Sequence, residues 1–163
     1  MNRTDAAPKA KEMVPLSVIY RGIESIDQEY SYYYNSKNRE VISVPDMDYG
    51  YTEIFEFDRE RMQEIEEDEE NRFIPMPSYR DLREYELMED FIGEMNDKAY
   101  AELLATAIQG KGAFRRFKDM LISRGMIEEW FQYKEQFYWR VARRWCEENG
   151  IPYFDDSKKR QKP

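Results

Sequence analysis

Histidine is absent from the 163 residues, and Cys146 is the one cysteine. Each shortage closes off chemistry. Without an imidazole no Ser-His-Asp or Cys-His centre can be assembled. Histidine-ligated zinc sites and H-E-x-x-H hydrolases fall with it. One thiol forms neither an internal disulfide nor a multi-thiolate metal site. No apolar run approaches the roughly 20 residues that span a bilayer. Residues 1–13 carry no apolar signal core, so the expected compartment is cytoplasmic, with no membrane partner.

Aromatics and charge are plentiful: 13 tyrosines, 9 phenylalanines, 3 tryptophans and a formal net charge of −9. Large rings let a short chain build a core, since each buries about 150–250 Å². The acidity disfavours indiscriminate binding to nucleic acid or anionic lipid. It is unevenly spread. Residues 58–70 hold eight acids and two bases, whereas residues 110–125 hold five bases and one acid.

Length and pattern give an α+β fold, with a disordered leader at 1–13, a single domain at 14–154 and a basic disordered tail at 155–163. Ile19, Ile23 and Ile26 have helical spacing, which Gly22 weakens. Tyrosine-rich 29–36 and β-branched 40–44 predict a β-hairpin, its link holding Asn35 and Asn38 as left-handed turn residues. Phe73–Pro77 is extended, and its two prolines confine it to a sheet edge or a crossing loop. The expected sheet is therefore small, antiparallel and N-terminal.

A bundle of about four helices follows. Ser78 and Asp81 have capping-box spacing before the stripe Leu82, Tyr85, Met88, Phe91, Ile92 and Met95. Asn96-Asp97 restarts the chain as a cap before Tyr100, Leu103, Leu104, Ala107 and Ile108. Phe114, Phe117 and Leu121 line a third helix, closed by Gly125. A long last helix carries Ile127, Trp130, Phe131, Tyr138, Val141, Ala142 and Trp145, and ends at Asn149-Gly150.

The chemistry-bearing candidates are Gly110, Lys111, Gly112, Arg115, Arg116 and Lys118. Glycines let backbone N–H groups approach an anion, and the start of a helix favours negative charge. The spacing is not that of a P-loop. The competing structural reading makes the glycines a tight interhelical turn, with the arginines paired to the acidic 58–70 helix. Glu86 and Asp90, four apart, are read as a solvated pair rather than an acid–base or Mg²⁺ site. Asp46-Met47-Asp48-Tyr49-Gly50 starts like a calcium loop, but its glycine comes early and Phe57 stands where the closing glutamate belongs. Cys146 reads as a small core residue, its activation by Arg143 being the minor option. No catalytic residue, metal or cofactor is assigned.

Four stretches occur in one order: Phe73-Ile74-Pro75-Met76-Pro77-Ser78, Glu84–Ile92, Gly110–Asp119 and Trp145–Ile151. Together they resemble an uncharacterised bacterial protein family, number 0158 of the UPF series, from about the first predicted helix to Tyr153. The hairpin departs most, its turn lacking glycine. The resemblance implies a small bacterial cytoplasmic protein in which Gly110–Asp119 is most typical of the family. It implies no activity. The favoured reading is a non-enzymatic binding or regulatory module that presents Gly110–Asp119 to an acidic partner, protein or nucleic acid. A small-anion or nucleotide site, with a carboxylate such as Glu86 as acid or base, is the alternative. RNA or DNA binding is third.

Overall fold

A computed structural model describes residues 12–160. The leader, up to residue 11, and the last three residues of the tail lie outside the described residues. The chain divides into two compact units. One comprises residues up to Asp81 and from Tyr138 onward; the other is Leu82–Phe137.

In the first unit, β1 (Val14–Pro15) leads into α1 (Leu16–Glu24). The hairpin is β2 (Tyr30–Asn35) and β3 (Glu40–Pro45), paired antiparallel with Tyr30 opposite Pro45. Its turn departs from expectation. The left-handed residue is Arg39, with φ 60°, and not an asparagine. The asparagines act through their side chains instead: Asn35 Oδ1 accepts from the N–H of Lys37 at 3.0 Å, and Asn38 Oδ1 from that of Glu40 at 3.1 Å. Such short side chains stabilise turns by bonding nearby backbone.

A single 3₁₀ turn (Met47–Tyr49) precedes α2 (Glu56–Glu66), which is shorter than the acidic run that predicts it. The proline-bounded segment does form an edge strand, β4 (Phe73–Pro75), giving the sheet order β3-β2-β4. Both α1 and α2 lie against β3. Gly22 serves the first contact, because a Cβ there would stand 3.1 Å from Val41 Cγ1.

The capping box forms reciprocally. Ser78 N–H donates to Asp81 Oδ2 at 2.8 Å, and Asp81 N–H to Ser78 Oγ at 3.2 Å. The helix it starts, α3 (Tyr79–Leu82), lasts four residues. Arg83, at φ 49°, interrupts the expected single helix before α4 (Glu84–Gly93).

In the second unit α4, α5 (Lys98–Ala107), α6 (Ala113–Ser123) and the first half of α7 (Ile127–Glu148) build a core of Met88, Phe91, Leu104, Phe117, Leu121 and Trp130. Phe91, Phe117 and Trp130 pack edge to face, with centroids 4.9–6.1 Å apart. This offset geometry suits ring quadrupoles. Asp97 caps α5 through the N–H of Tyr100 at 3.1 Å. Four residues placed on the apolar stripes are exposed instead: Leu103, Phe131, Tyr85 and, marginally, Phe114.

The second half of α7 returns to the first unit, where Trp145 Nε1 donates to Pro75 O at 3.0 Å. Trp139, which no predicted stripe included, is buried and stacks on Tyr20 at 4.0 Å. Past Gly150, β5 (Tyr153–Phe154) pairs parallel with β1.

The tail boundary at Asp155 also moves. Asp155 takes Arg143 Nε at 2.8 Å. Hydrogen bonding from Ser157, then the Arg143 guanidinium, lowers its carboxyl to about 2. Asp156 is buried, and a last turn, α8 (Ser157–Arg160), follows. The Asp156 carboxylate accepts from Ser17 N–H at 2.8 Å and from Ser17 Oγ–H at 2.5 Å. Pro15, at the N-cap position of α1, has no side-chain acceptor, so a residue 139 positions away supplies it. Replacing Asp156 by alanine strands both Ser17 donors. The expected loss is about 1–3 kcal/mol, measured as a lower urea midpoint. An unchanged midpoint refutes this role.

Candidate functional site

The Gly110–Asp119 segment joins α5 to α6 within the second unit. Gly110 and Gly112 both adopt left-handed backbone, with φ 77° and 76°. Glycine takes this conformation without the Cβ penalty of other residues. Gly112 is also crowded: a Cβ there would stand 2.9 Å from Arg116 Nη1.

The crowding marks the turn's central device. Arg116 Nε donates to Ala107 O at 2.6 Å, Nη2 to Gln109 O at 2.7 Å, and Nη1 to Lys111 O. One planar fork thus gathers three carbonyls just past the end of α5. A cation suits this end of a helix, where unpaired carbonyls and the helix dipole leave negative charge. The guanidinium fills the turn with the protein's own cation.

The six sequence-selected residues therefore separate. Gly110 and Gly112 permit the turn, and Arg116 clasps it. Lys111, Arg115 and Lys118 are exposed. Arg115 has one ion pair, to Asp119 one helical turn on, at a long 3.9 Å and with the arginine side chain 90% exposed. Such pairs contribute about 0–1 kcal/mol. The partners of both arginines lie in the second unit, not in the acidic helix that the structural reading gave them.

The surface between these cations is partly apolar. Phe114, Lys118 and Ile122 follow one another at four-residue steps on α6, with Arg115 beside them, and Ile122 is 59% exposed. The adjoining row, about 100° round the helix, carries buried Ala113, Phe117 and Leu121. Sequence reasoning placed Phe114 with Phe117 in the core. The period decides otherwise, because residues three apart can straddle the border of a core-facing stripe.

The other candidates stay apart from this face. Glu86 and Asp90 are exposed, and Glu86 lies 3.7 Å from Arg83. Asp46 caps the 3₁₀ turn through Asp48 N–H at 2.9 Å. Cys146 is fully buried, and desolvation, then the charge of Glu147, pushes its thiol up to about 12. Arg143 cannot serve as an activator while it bonds Asp155 and Ser157. Among the described residues, no group of three or more Cys, Asp or Glu side chains could hold a metal ion. None of their helices is long and apolar enough to cross a membrane.

The model of an uncharacterised protein family, UPF0158, matches residues 16–159. The chain belongs to this family. No curated protein and no solved structure matches it. The family span takes in both units and the Gly110–Asp119 turn. It also takes in Asp156, beyond the Tyr153 limit of the sequence resemblance.

A concavity missed by sequence reading lies in the first unit beside the start of β2 and is lined by tyrosines and aspartates. The run Tyr-Ser-Tyr-Tyr-Tyr signals a strand, but not which of its edges is left open.

Two outcomes test these assignments. Arg116→Ala is expected to cost about 1–2 kcal/mol in an unfolding titration, and Arg116→Lys to recover little, since an ammonium cannot reach three carbonyls in one plane. Full recovery by lysine refutes the clasp. Cys146 is expected to resist a thiol-exchange reagent at neutral pH in native protein and to react on unfolding; rapid native labelling contradicts its burial.

Proposed function

We propose that the protein is a non-enzymatic binding module and that its second unit presents Lys111, Arg115 and Lys118 to an acidic protein partner. The observation that carries this reading is the outer strip of α6. There basic and apolar side chains alternate in the open, while Arg116 secures the turn beside them. Among the described residues, Lys111 and Lys118 form no ion pair. Exposed cations next to exposed Phe114 and Ile122 suit a partner that offers carboxylates around an apolar contact. Complementary charge speeds encounter and selects the partner, while the apolar groups supply the buried centre.

The anion-site alternative draws less support. A phosphate at the turn would need converging N–H donors, whereas the turn converges carbonyls on Arg116. The strip remains small, so a transient partnership fits better than an obligate one.

The test is Arg115→Glu with Lys118→Glu. Both side chains are exposed, so the fold is expected to hold, checked by an unchanged melting curve. Crosslinking in lysate, followed by identification of the captured proteins, should lose its acidic partners with the variant. Retained partners with intact folding would refute the reading. Salt-dependent retention of the parent chain on an RNA resin, lost in the variant, would point to RNA instead.

A further inference from the structure

The cleft in the first unit has an origin in strand register. The β2–β4 ladder covers Tyr33, Tyr34 and Asn35, and a last bond runs from Met76 N–H to Tyr32 O at 2.9 Å. Pro77 then has no N–H to extend the ladder. The Ser78–Asp81 capping box starts α3 instead. The first residues of β2 are consequently left beside a gap of about 700 Å³, comparable with small-molecule sites.

Its lining has two kinds of group. Tyr30, Tyr32, Tyr49 and Tyr79 contribute aromatic surface. Asp27 contributes a carboxylate from the turn before β2, and Asp46 and Asp48 contribute two more from the 3₁₀ turn. Arg80 is the one cation of the lining, so two negative charges stay uncompensated. Among the described residues, no ion pair within 4.0 Å joins Arg80 to these carboxylates. Asp27 Oδ1 accepts from the N–H groups of Glu29 and Tyr30, Asp46 accepts from Asp48 N–H and, at 3.5 Å, from Ser31 Oγ–H, and among the described residues the Asp48 carboxylate accepts no hydrogen bond. The tyrosines are not packed as a core. Tyr49 is 51% exposed, and its ring is tilted 45° to that of Tyr51, 5.7 Å away.

Ring faces and carboxylates attract the same class of ligand. The negative face of an aromatic ring draws a cation within about 6 Å. A phosphate or carboxylate ligand would meet three aspartates. The carboxylates come from two turns, Asp27 from the one before β2 and Asp46 and Asp48 from the 3₁₀ turn. This asks for two or more positive centres joined by alkyl carbon.

We propose that this cleft binds a small linear polyamine, its amines at Asp27 and at the Asp46–Asp48 turn and its methylenes against the tyrosines. The site is independent of the partner surface on α6.

Titration calorimetry of the full chain with spermidine, at constant ionic strength, tests it. The parent chain should bind. Asp48→Asn with Tyr49→Leu alters exposed groups and should weaken binding by about tenfold or more, equivalent to about 1.4 kcal/mol, with an unchanged melting temperature. Arg80→Gln removes the opposing cation and should tighten binding. No binding by the parent at millimolar spermidine overturns the proposal. So does equal affinity in the double variant, or equal displacement by Mg²⁺ at matched ionic strength. Arg80→Gln binding that is unchanged or weaker also counts against it, because a cation site must gain from losing that charge.

Discussion

The first unit is closed by a carboxylate from the far end of the chain. Asp156 takes both Ser17 donors at the start of α1, where Pro15 offers no acceptor. The parallel pairing of β1 with β5 and the bond from Val14 N–H to Pro152 O at 3.0 Å act at the same place. Without this tie, buried Val14 of β1 and buried Leu16 and Ile19 of α1 lose the segment that holds them. Closing so long a loop costs chain entropy, though the cost grows only slowly with length. The second half of α7 shares it: Trp145 bonds Pro75 and meets Tyr34 edge-on, so one helix serves sheet and termini together.

The second unit relies on a different economy. Its rings form the core, and their polar ends finish helix termini. Tyr85 O–H donates to Ile108 O at 3.0 Å, and Tyr100 O–H to Met120 O at 2.7 Å. Arg116 does the same for the end of α5 with three bonds. A helix leaves its last carbonyls without partners, and here side chains from neighbouring helices supply them. The basic run is thus two things at once. One arginine is spent inside the turn, and the remaining cations face outward beside apolar groups.

Charge asymmetry acquires a similar division. The acidic residues around α2 include Asp68, whose carboxyl is lowered first by the Phe73 N–H and then by Arg72. It anchors the approach to β4 while its neighbours stay solvated. Total charge alone would describe neither this anchor nor the Arg116 clasp. The cleft of the first unit illustrates the same point: Asp46 and Asp48, set aside in the sequence as a failed calcium loop, line it together with Asp27, which the sequence did not single out.

Much of the fold was legible. Tyrosine richness and β-branching marked the hairpin, the prolines limited β4 to an edge, and the Ser78–Asp81 and Asp97 caps formed as their spacing demands. These features were readable because each depends on residues within about five positions of one another. The break at Arg83, the burial of Trp139 and the exposure of Leu103 were not, because a neighbour's surface decides which part of a helix is covered. The sequence by itself determined the missing chemistries, the local elements and the family. Tertiary structure alone decided that Arg116 folds back onto the carbonyls of the turn while Lys118 does not, that Asp156 caps a helix 139 residues away, and that β2 keeps an open flank. All three depend on directions and distances between segments, which a linear order of residues does not encode.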